Sequence, residues 1–266
     1  MSMGTDLLRE VRMAKTEAPT VAAWWLGQMG YILKCGETIL LVDGYLQPGK
    51  ARRVAPAFSP EEADIFDAVL GTHDHADHID RWAWPGLAAS NEKTRFIASA
   101  ALKNDVCAAT GIDPTRYMGV CEGDRITVGD FTVECVPAAH ELVEYDEAGR
   151  SLHLSFIING RIFHAGDTCL YEGQRAKLRA FGRFDAMILP INGRDAERLS
   201  RNCIGNMTFQ EAVDLAGDLK ARMAIPGHYD MFLNNPGSPE AFRDYLAVKY
   251  PEVRCHIPAY GERFDL

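Results

Sequence analysis

Three short apolar stretches open the chain beyond residue 20: Val21–Leu26, Tyr31–Lys34 and Thr38–Asp43. They are rich in aliphatic and aromatic residues, divided by Gly27, Gly30 and Gly36, and too short for helices. Strands in a hairpin or meander are therefore predicted. Ser59-Pro60-Glu61-Glu62 offers an N-cap, a proline for the first helical position and a glutamate for a capping box, which predicts a helix to about Phe66. Asp67–Thr72 reads as a short buried strand, and Ser99 to Gly111 as a capped helix ending on its glycine. Arg125–Val128 and Phe131–Pro137 form a predicted hairpin about Gly129-Asp130; His153–Asn159 and Arg161–Ala165 repeat that pattern about Gly160. Tyr171–Phe181 is expected to be helical and Asp185–Ile191 a fully apolar strand. Thr208-Phe209-Gln210-Glu211 is a second capping box, opening a helix to about Ala221. Met223–Pro226 is a strand, and Ser238-Pro239-Glu240 starts a last helix to about Tyr250.

Strands followed by helix thus recur in two successive blocks. Two β-rich halves with helices on their outer faces bury the apolar faces of both sheets, so the pattern gives an α/β or α+β protein with mixed sheets. No internal repeat at a fixed short period, low-complexity segment or linker interrupts it, and residues 1–266 read as one domain.

Composition narrows the function. At 47% hydrophobic and 24% charged the chain is an ordinary globular protein, and no apolar run approaches the roughly 18–20 residues of a spanning helix. No membrane partner is expected. The first twenty residues lack an apolar core between charged and small ends, so a cytoplasmic location is expected rather than secretion. With 28 Lys and Arg against 37 Asp and Glu, a net charge of −9 weighs against nucleic acid as a partner. A local basic pocket can still hold a small anion. Seven cysteines, with no C-x-x-C pair, weigh against a disulfide framework or a zinc ribbon and fit a reducing compartment. A homo-oligomer is left open.

The chemistry concentrates in Thr72-His73-Asp74-His75-Ala76-Asp77-His78-Ile79-Asp80, three histidines and three aspartates directly after a predicted buried strand. On an extended segment residues two apart share a face, so His73 and His75 can reach one ion together. If the chain then turns, Asp77 and His78 face a neighbouring ion. Imidazole nitrogen and carboxylate oxygen are ligands that Zn, Mn and Fe accept. The alternative, a solvated polar loop, is hard to reconcile with three histidines in six residues. His140, Asp167 and His228 each lie just past an apolar strand, as His73 does, where loops converge on a cleft. His164 alternates with Phe163 in a strand and reads as core or as a support for a ligand; His153 and His256 have no such context. Asp43, closing the run ILLVD, reads as structural or as orienting a histidine through its other ring nitrogen. Cys169 reads as a small buried residue, and Trp24 and Trp25 as core.

The cluster has the form H-x-H-x-D-H, which resembles the signature of the metallo-β-lactamase superfamily. Within it the chain is most similar to the L-ascorbate-6-phosphate lactonase branch. Trp24-Trp25-Leu26-Gly27 with Gly30, Thr72 to Asp80, His164-Ala165-Gly166-Asp167, and Ile225-Pro226-Gly227-His228 with Asp230 carry the likeness. The resemblance implies a four-layer αββα sandwich. It implies that His73, His75 and His140 bind one metal, that Asp77, His78 and His228 bind a second, and that Asp167 bridges them. Two divalent cations, Zn or Mn with Fe admissible, would then activate a hydroxide. The substrate is expected to be a small molecule, a lactone or ester of a polar or phosphorylated carbohydrate-like compound. Asp77 would act as the catalytic carboxylate that orients the nucleophile and passes its proton on. A metal-dependent phosphodiesterase is the nearest alternative. A redox di-iron protein is disfavoured because flavo-diiron proteins tend to carry a carboxylate where this chain has His75, and a non-enzymic metal-binding protein is the remaining class. The segment from Pro190 to Met207 is rich in Arg and Asn, and Arg194 and Asn206 are the residues expected to bind the substrate, against the alternative of a solvated basic loop.

Overall fold

The computed structural model describes residues 3–266. Seven helices run α1 (Met3–Met13), α2 (Trp84–Ser90), α3 (Lys103–Thr110), α4 (Gln174–Arg179), α5 (Ala196–Ser200), α6 (Phe209–Asp218) and α7 (Pro239–Lys249). Sixteen strands accompany them: β1 (Ala22–Trp25), β2 (Tyr31–Cys35), β3 (Thr38–Val42), β4 (Ala68–Leu70), β5 (Arg95–Ser99), β6 (Tyr117–Val120), β7 (Arg125–Val128), β8 (Phe131–Pro137), β9 (Ala139–His140), β10 (Leu142–Val143), β11 (Leu154–Ile158), β12 (Ile162–His164), β13 (Ala186–Pro190), β14 (Met223–Gly227), β15 (Arg254–Cys255) and β16 (Arg263–Asp265).

Two seven-stranded mixed sheets result, in the orders β16-β1-β2-β3-β4-β5-β6 and β15-β14-β13-β12-β11-β8-β7. In each, an antiparallel meander passes into parallel strands: β3 pairs parallel with β4, and β12 with β13. The two halves share this succession, which is the two-block order expected from the sequence. Strand alternation shows how the layers form. Trp25 points into the cluster shared by the two sheets, where it stacks on Tyr229 at 5.5 Å, while Trp24 joins the cluster on the outer face of the first sheet. There its indole Nε1 donates to Glu10 of α1 at 2.9 Å. Both faces of β1 are therefore covered, which is why its sequence reads as continuously apolar rather than alternating. Leu8 and Val11 of α1, with Trp84, Leu87 and Val106 of α2 and α3, complete that outer layer. Ala212, Val213, Leu215 and Ala216 of α6, with Phe242 and Leu246 of α7, pack on the second sheet.

The expected strands and hairpins form within a residue or two of their predicted bounds. Gly111, at φ 69°, ends α3, and the capping box of Thr208 and Glu211 is complete in both directions. Two helices differ. Between Ser59 and Phe66 only a single 3₁₀ turn, Pro60–Glu62, forms; Ser59 caps no backbone N–H, its hydroxyl instead meeting Glu61. Ala63 already leaves the helical region at φ −96°, ψ 63°, since the chain must reach Asp67, whose carboxylate accepts from Ile39 N at 2.8 Å. The helix expected over 171–181 is confined to α4 because Gly173 (φ 84°) and Gly182 (φ 83°) turn the chain at either end. Buried Lys34 of β2 caps the end of α1, donating to the carbonyls of Val11 (3.0 Å) and Arg12 (2.8 Å). Among the described residues no helix is long and apolar enough to cross a membrane.

The ends of β3, β4, β12 and β14 bring Asp43, His73, Asp167 and His228 to one edge of the two sheets. Removing the α6 cap tests the fold apart from that edge. Thr208→Ala is expected to cost about 1 kcal/mol in urea unfolding while leaving metal content unchanged. A loss of metal without a loss of stability would contradict that separation.

Candidate metal centre

Asp43 anchors the arrangement. Its side chain is fully buried at the end of β3, and it accepts from Thr72 N (2.8 Å), from Thr72 Oγ1 (2.8 Å) and from His78 Nδ1 (2.7 Å). Because a carboxylate only accepts, Nδ1 of His78 is a donor, and Nε2 is the nitrogen left to face the cluster. That Nε2 faces Asp167 Oδ1 at 3.3 Å and Asp77 Oδ2 at 3.7 Å. The Thr72 hydroxyl, committed as a donor to Asp43, receives His73 Nδ1 at 3.2 Å, so His73 also turns its Nε2 inward. His73 Nε2 and His140 Nε2 then converge on His75 Nδ1 at 3.0 and 3.1 Å. His228 Nε2 lies 3.0 Å from Asp167 Oδ2 and 3.3 Å from Asp77 Oδ2.

Three overlapping groups follow, each with ligand atoms within 4.8 Å of one another: His73, His75 and His140; His73, His78 and Asp167; Asp77, His78 and His228. All seven residues named from the sequence are thus brought together. Gly166 permits it: at φ 60°, its backbone lies so close to Thr72 that an added Cβ would meet that side chain at 2.9 Å, which draws Asp167 against His78.

The donor set fits divalent cations. Near the first group, burial holds His73 well below the usual imidazole range, His78 adding to the effect, and burial brings His140 down to about 4. Two neutral imidazoles therefore meet at His75 Nδ1, an arrangement that a bound cation would hold together. At the second group burial opposes charge on His78, but Asp167, Asp43 and Asp77 outweigh it and raise the imidazole. His228 is raised to about 10 in the same way, burial being overcome by Asp167 and Asp77. Those imidazoles in turn hold Asp77 and Asp167 below the carboxylate range against the effect of burial. Even so, buried His78 Nε2 and Asp167 Oδ1 find no hydrogen-bond partner. Ligand atoms left in this state are what a bound cation satisfies.

The cluster opens into a cleft of about 400 Å³, rimmed by Ala51, Arg201, Asn202, Ile204, Phe232 and Asn235. Arg194 and Asn206 do not line it. Arg194 forms a bidentate pair with Glu211 at 2.7 and 2.8 Å and borders a neighbouring cavity of about 220 Å³, and Asn206 is buried against Asn192. Within the Arg- and Asn-rich segment it is Arg201 and Asn202 that face the cleft. His153 packs its ring 5.6 Å from His73 and 5.7 Å from His140 but belongs to none of the three groups. Buried His164 bonds the Met29 carbonyl at 2.8 Å. The sequence reading overlooked Gln28. Its Nε2 donates to Asp77 Oδ2 at 3.0 Å and lies 3.2 Å from His228 Nε2. Its backbone is held by Asp230, which accepts from Gln28 N, and by Trp25 and His228, which donate to its carbonyl. The one available signal was its place after Trp-Trp-Leu-Gly.

Two outcomes are expected. Filling the second group displaces protons from His78 and His228, so zinc titration in buffers of differing ionisation enthalpy should show net proton release. The affinity of that step should fall roughly tenfold per unit drop in pH for each proton displaced. A buffer-independent heat would count against it. Gln28→Met should weaken the Asp77–His228 side about tenfold or more by chelator competition, with secondary structure intact; wild-type affinity would show that the amide supports nothing there.

Comparison with known proteins agrees with this geometry. Residues 38–229 match the family model described as the Beta-lactamase superfamily domain. A UPF0173 metal-dependent hydrolase of Archaeoglobus fulgidus is 28% identical over 248 residues, covering 91% of this chain and 97% of that protein. One from Hyperthermus butylicus is 26% identical over 250 residues, covering 89% and 100%. The solved structure of Igni18, a metallo hydrolase from Ignicoccus hospitalis, superposes with a TM-score of 0.71 at 19% identity, over 93% of this chain and 98% of that one. The αββα arrangement is that of the metallo-β-lactamase fold, and the chain belongs to the β-lactamase superfamily.

Proposed function

We propose that this protein is a metal-dependent hydrolase that opens a lactone or ester of a small, oxygen-rich substrate. The observation that carries the reading is the convergence of seven imidazole and carboxylate side chains, five of which line an open cleft. The names of the relatives, metal-dependent hydrolases, support it. The lactone preference rests on the likeness of the Trp24–Gly30 and Thr72–Asp80 segments to the ascorbate-6-phosphate lactonase branch. His73, His75 and His140 would hold one cation and Asp77, His78 and His228 the other, with Asp167 between them. Bound cations supply Lewis acidity and a water nucleophile that is active near neutral pH.

The chain's own residues do the rest. Asp77 has a 16% exposed side chain, against 4% or less for His78, His140, Asp167 and His228, so it is a carboxylate of the cluster that can meet a substrate as well as a metal. Fixed by Gln28, it can accept the proton of the attacking water and return it to the leaving oxygen. Arg201, paired with Glu197 at 2.6 Å, and Asn202 offer N–H donors at the rim for the polar end of the substrate. Phe232 and Ile204 add apolar surface to the cleft wall.

Elemental analysis of the purified protein, joined to a screen of lactones, carboxylic esters and phosphodiesters, tests the reading. Two equivalents of metal and turnover of a lactone or ester are expected. His73→Ala should lose metal and at least about a hundredfold in kcat/KM, since removing a ligand costs several kcal/mol of transition-state stabilisation. Turnover of phosphodiesters alone would shift the assignment to a phosphodiesterase, and a metal-loaded protein inert to all three classes would refute it.

A further inference from the structure

A line of buried amides ends in the cleft. Asn206 Nδ2 donates to Asn192 Oδ1 at 3.1 Å, and Asn192 Nδ2 donates to Asn235 Oδ1 at 2.9 Å. Arg198 Nε donates to the same Asn235 oxygen at 3.0 Å. Arg198 is itself fixed, its Nη2 donating to the Pro236 carbonyl at 2.6 Å and its Nη1 to Asp195. Both lone pairs of the Asn235 amide oxygen are therefore taken. Rotating the amide by half a turn would set its NH₂ against two other donors, so the network fixes which way it faces. What Asn235 has left is the NH₂ group. It makes no hydrogen bond within the described residues, and Asn235, only 7% exposed, lines the cleft beside Asp77, Asp167 and His228.

We propose that Asn235 is a substrate-binding residue, presenting its amide N–H donors to an oxygen of the substrate held over the His–Asp cluster, with Asn192 and Arg198 as positioning residues. The placement over a substrate rests on the hydrolase reading of this cleft; the orientation of the donor does not. An oriented NH₂ group selects an acceptor, so the group it takes is a carbonyl, carboxylate or phosphoryl oxygen, and an ammonium group is refused. Asn202 and Arg201, the latter paired with Glu197 at 2.6 Å, line the same cleft and add further N–H donors for such an oxygen. The amide is preorganised: its partners are buried, so little rotamer freedom is lost on binding.

Inorganic phosphate titrated calorimetrically into the zinc-loaded protein reads the donor without depending on turnover. Asn235→Asp retains the acceptor oxygen that Asn192 and Arg198 require and replaces the NH₂ by a carboxylate oxygen. It is expected to keep the wild-type Tm and metal content and to bind phosphate at least about tenfold more weakly, as the loss of one hydrogen bond to a charged group requires. Arg198→Lys, which frees one lone pair of Asn235 without touching the donor, is expected to give a smaller loss in the same direction and covers the case in which the Asp variant is unstable. Wild-type phosphate affinity in Asn235→Asp, or no phosphate binding by the wild-type protein at millimolar concentration, overturns the proposal. On a lactone or ester that the wild-type protein hydrolyses, the Asp variant should raise KM. A protein that binds phosphate through Asn235 yet hydrolyses no probe removes the hydrolase reading alone; one that hydrolyses a probe with equal KM and equal phosphate affinity in the variant removes the role of Asn235 alone.

Discussion

Asp43 lies outside the cluster of candidate ligands, yet the cluster depends on it. It adopts φ 46°, a left-handed conformation that a non-glycine residue holds only when its surroundings compensate. The compensation is three buried, charge-assisted hydrogen bonds, from Thr72 N, Thr72 Oγ1 and His78 Nδ1. One carboxylate thereby fixes which way two imidazoles face: His78 directly, and His73 through the Thr72 hydroxyl. Had those rings been free to turn, their inward nitrogens would be a matter of chance. The inward nitrogens of His73 and His78 are fixed from behind, by a residue that need never touch an ion.

The two halves of the centre differ in character. Around His75 the groups are neutral nitrogens held low by burial; around Asp77 and Asp167 they are carboxylates facing imidazoles that those carboxylates have raised. A cation entering the first region competes only with water, whereas one entering the second competes with protons. Gln28 sits on the second side, where an extra N–H donor steadies Asp77 whether or not a proton is present.

Legibility in the sequence followed the physics of each residue. Three histidines after an apolar strand are rare enough to stand out, and His140, Asp167 and His228 became visible because each ends a strand of plain apolar pattern. The α6 cap was legible because Thr208 and Glu211 carry all its hydrogen bonds locally. Where partners come from afar, reading failed. Helix α1 is ended by Lys34, more than twenty residues on, and Gln28 is an ordinary glutamine until the fold lays Asp77 and His228 against it. The density of Arg and Asn between 190 and 207 marked the right segment without telling which side chains face the cleft. Glu211, which closes the α6 capping box, also takes the guanidinium of Arg194, leaving the rim to Arg201 and Asn202.

The contact between Gly166 and Thr72 leaves no room for a Cβ, so the two halves of the molecule touch backbone to side chain where Asp167 approaches His78. A spacing set by such a short, stiff contact does not drift when distant parts of the surface change. The cleft wall, by contrast, is built from segments 201–204 and 232–235, joined to the scaffold through exposed residues and an amide chain. Descendants of this architecture can therefore exchange rim segments while the spacing of the His–Asp cluster is inherited unaltered.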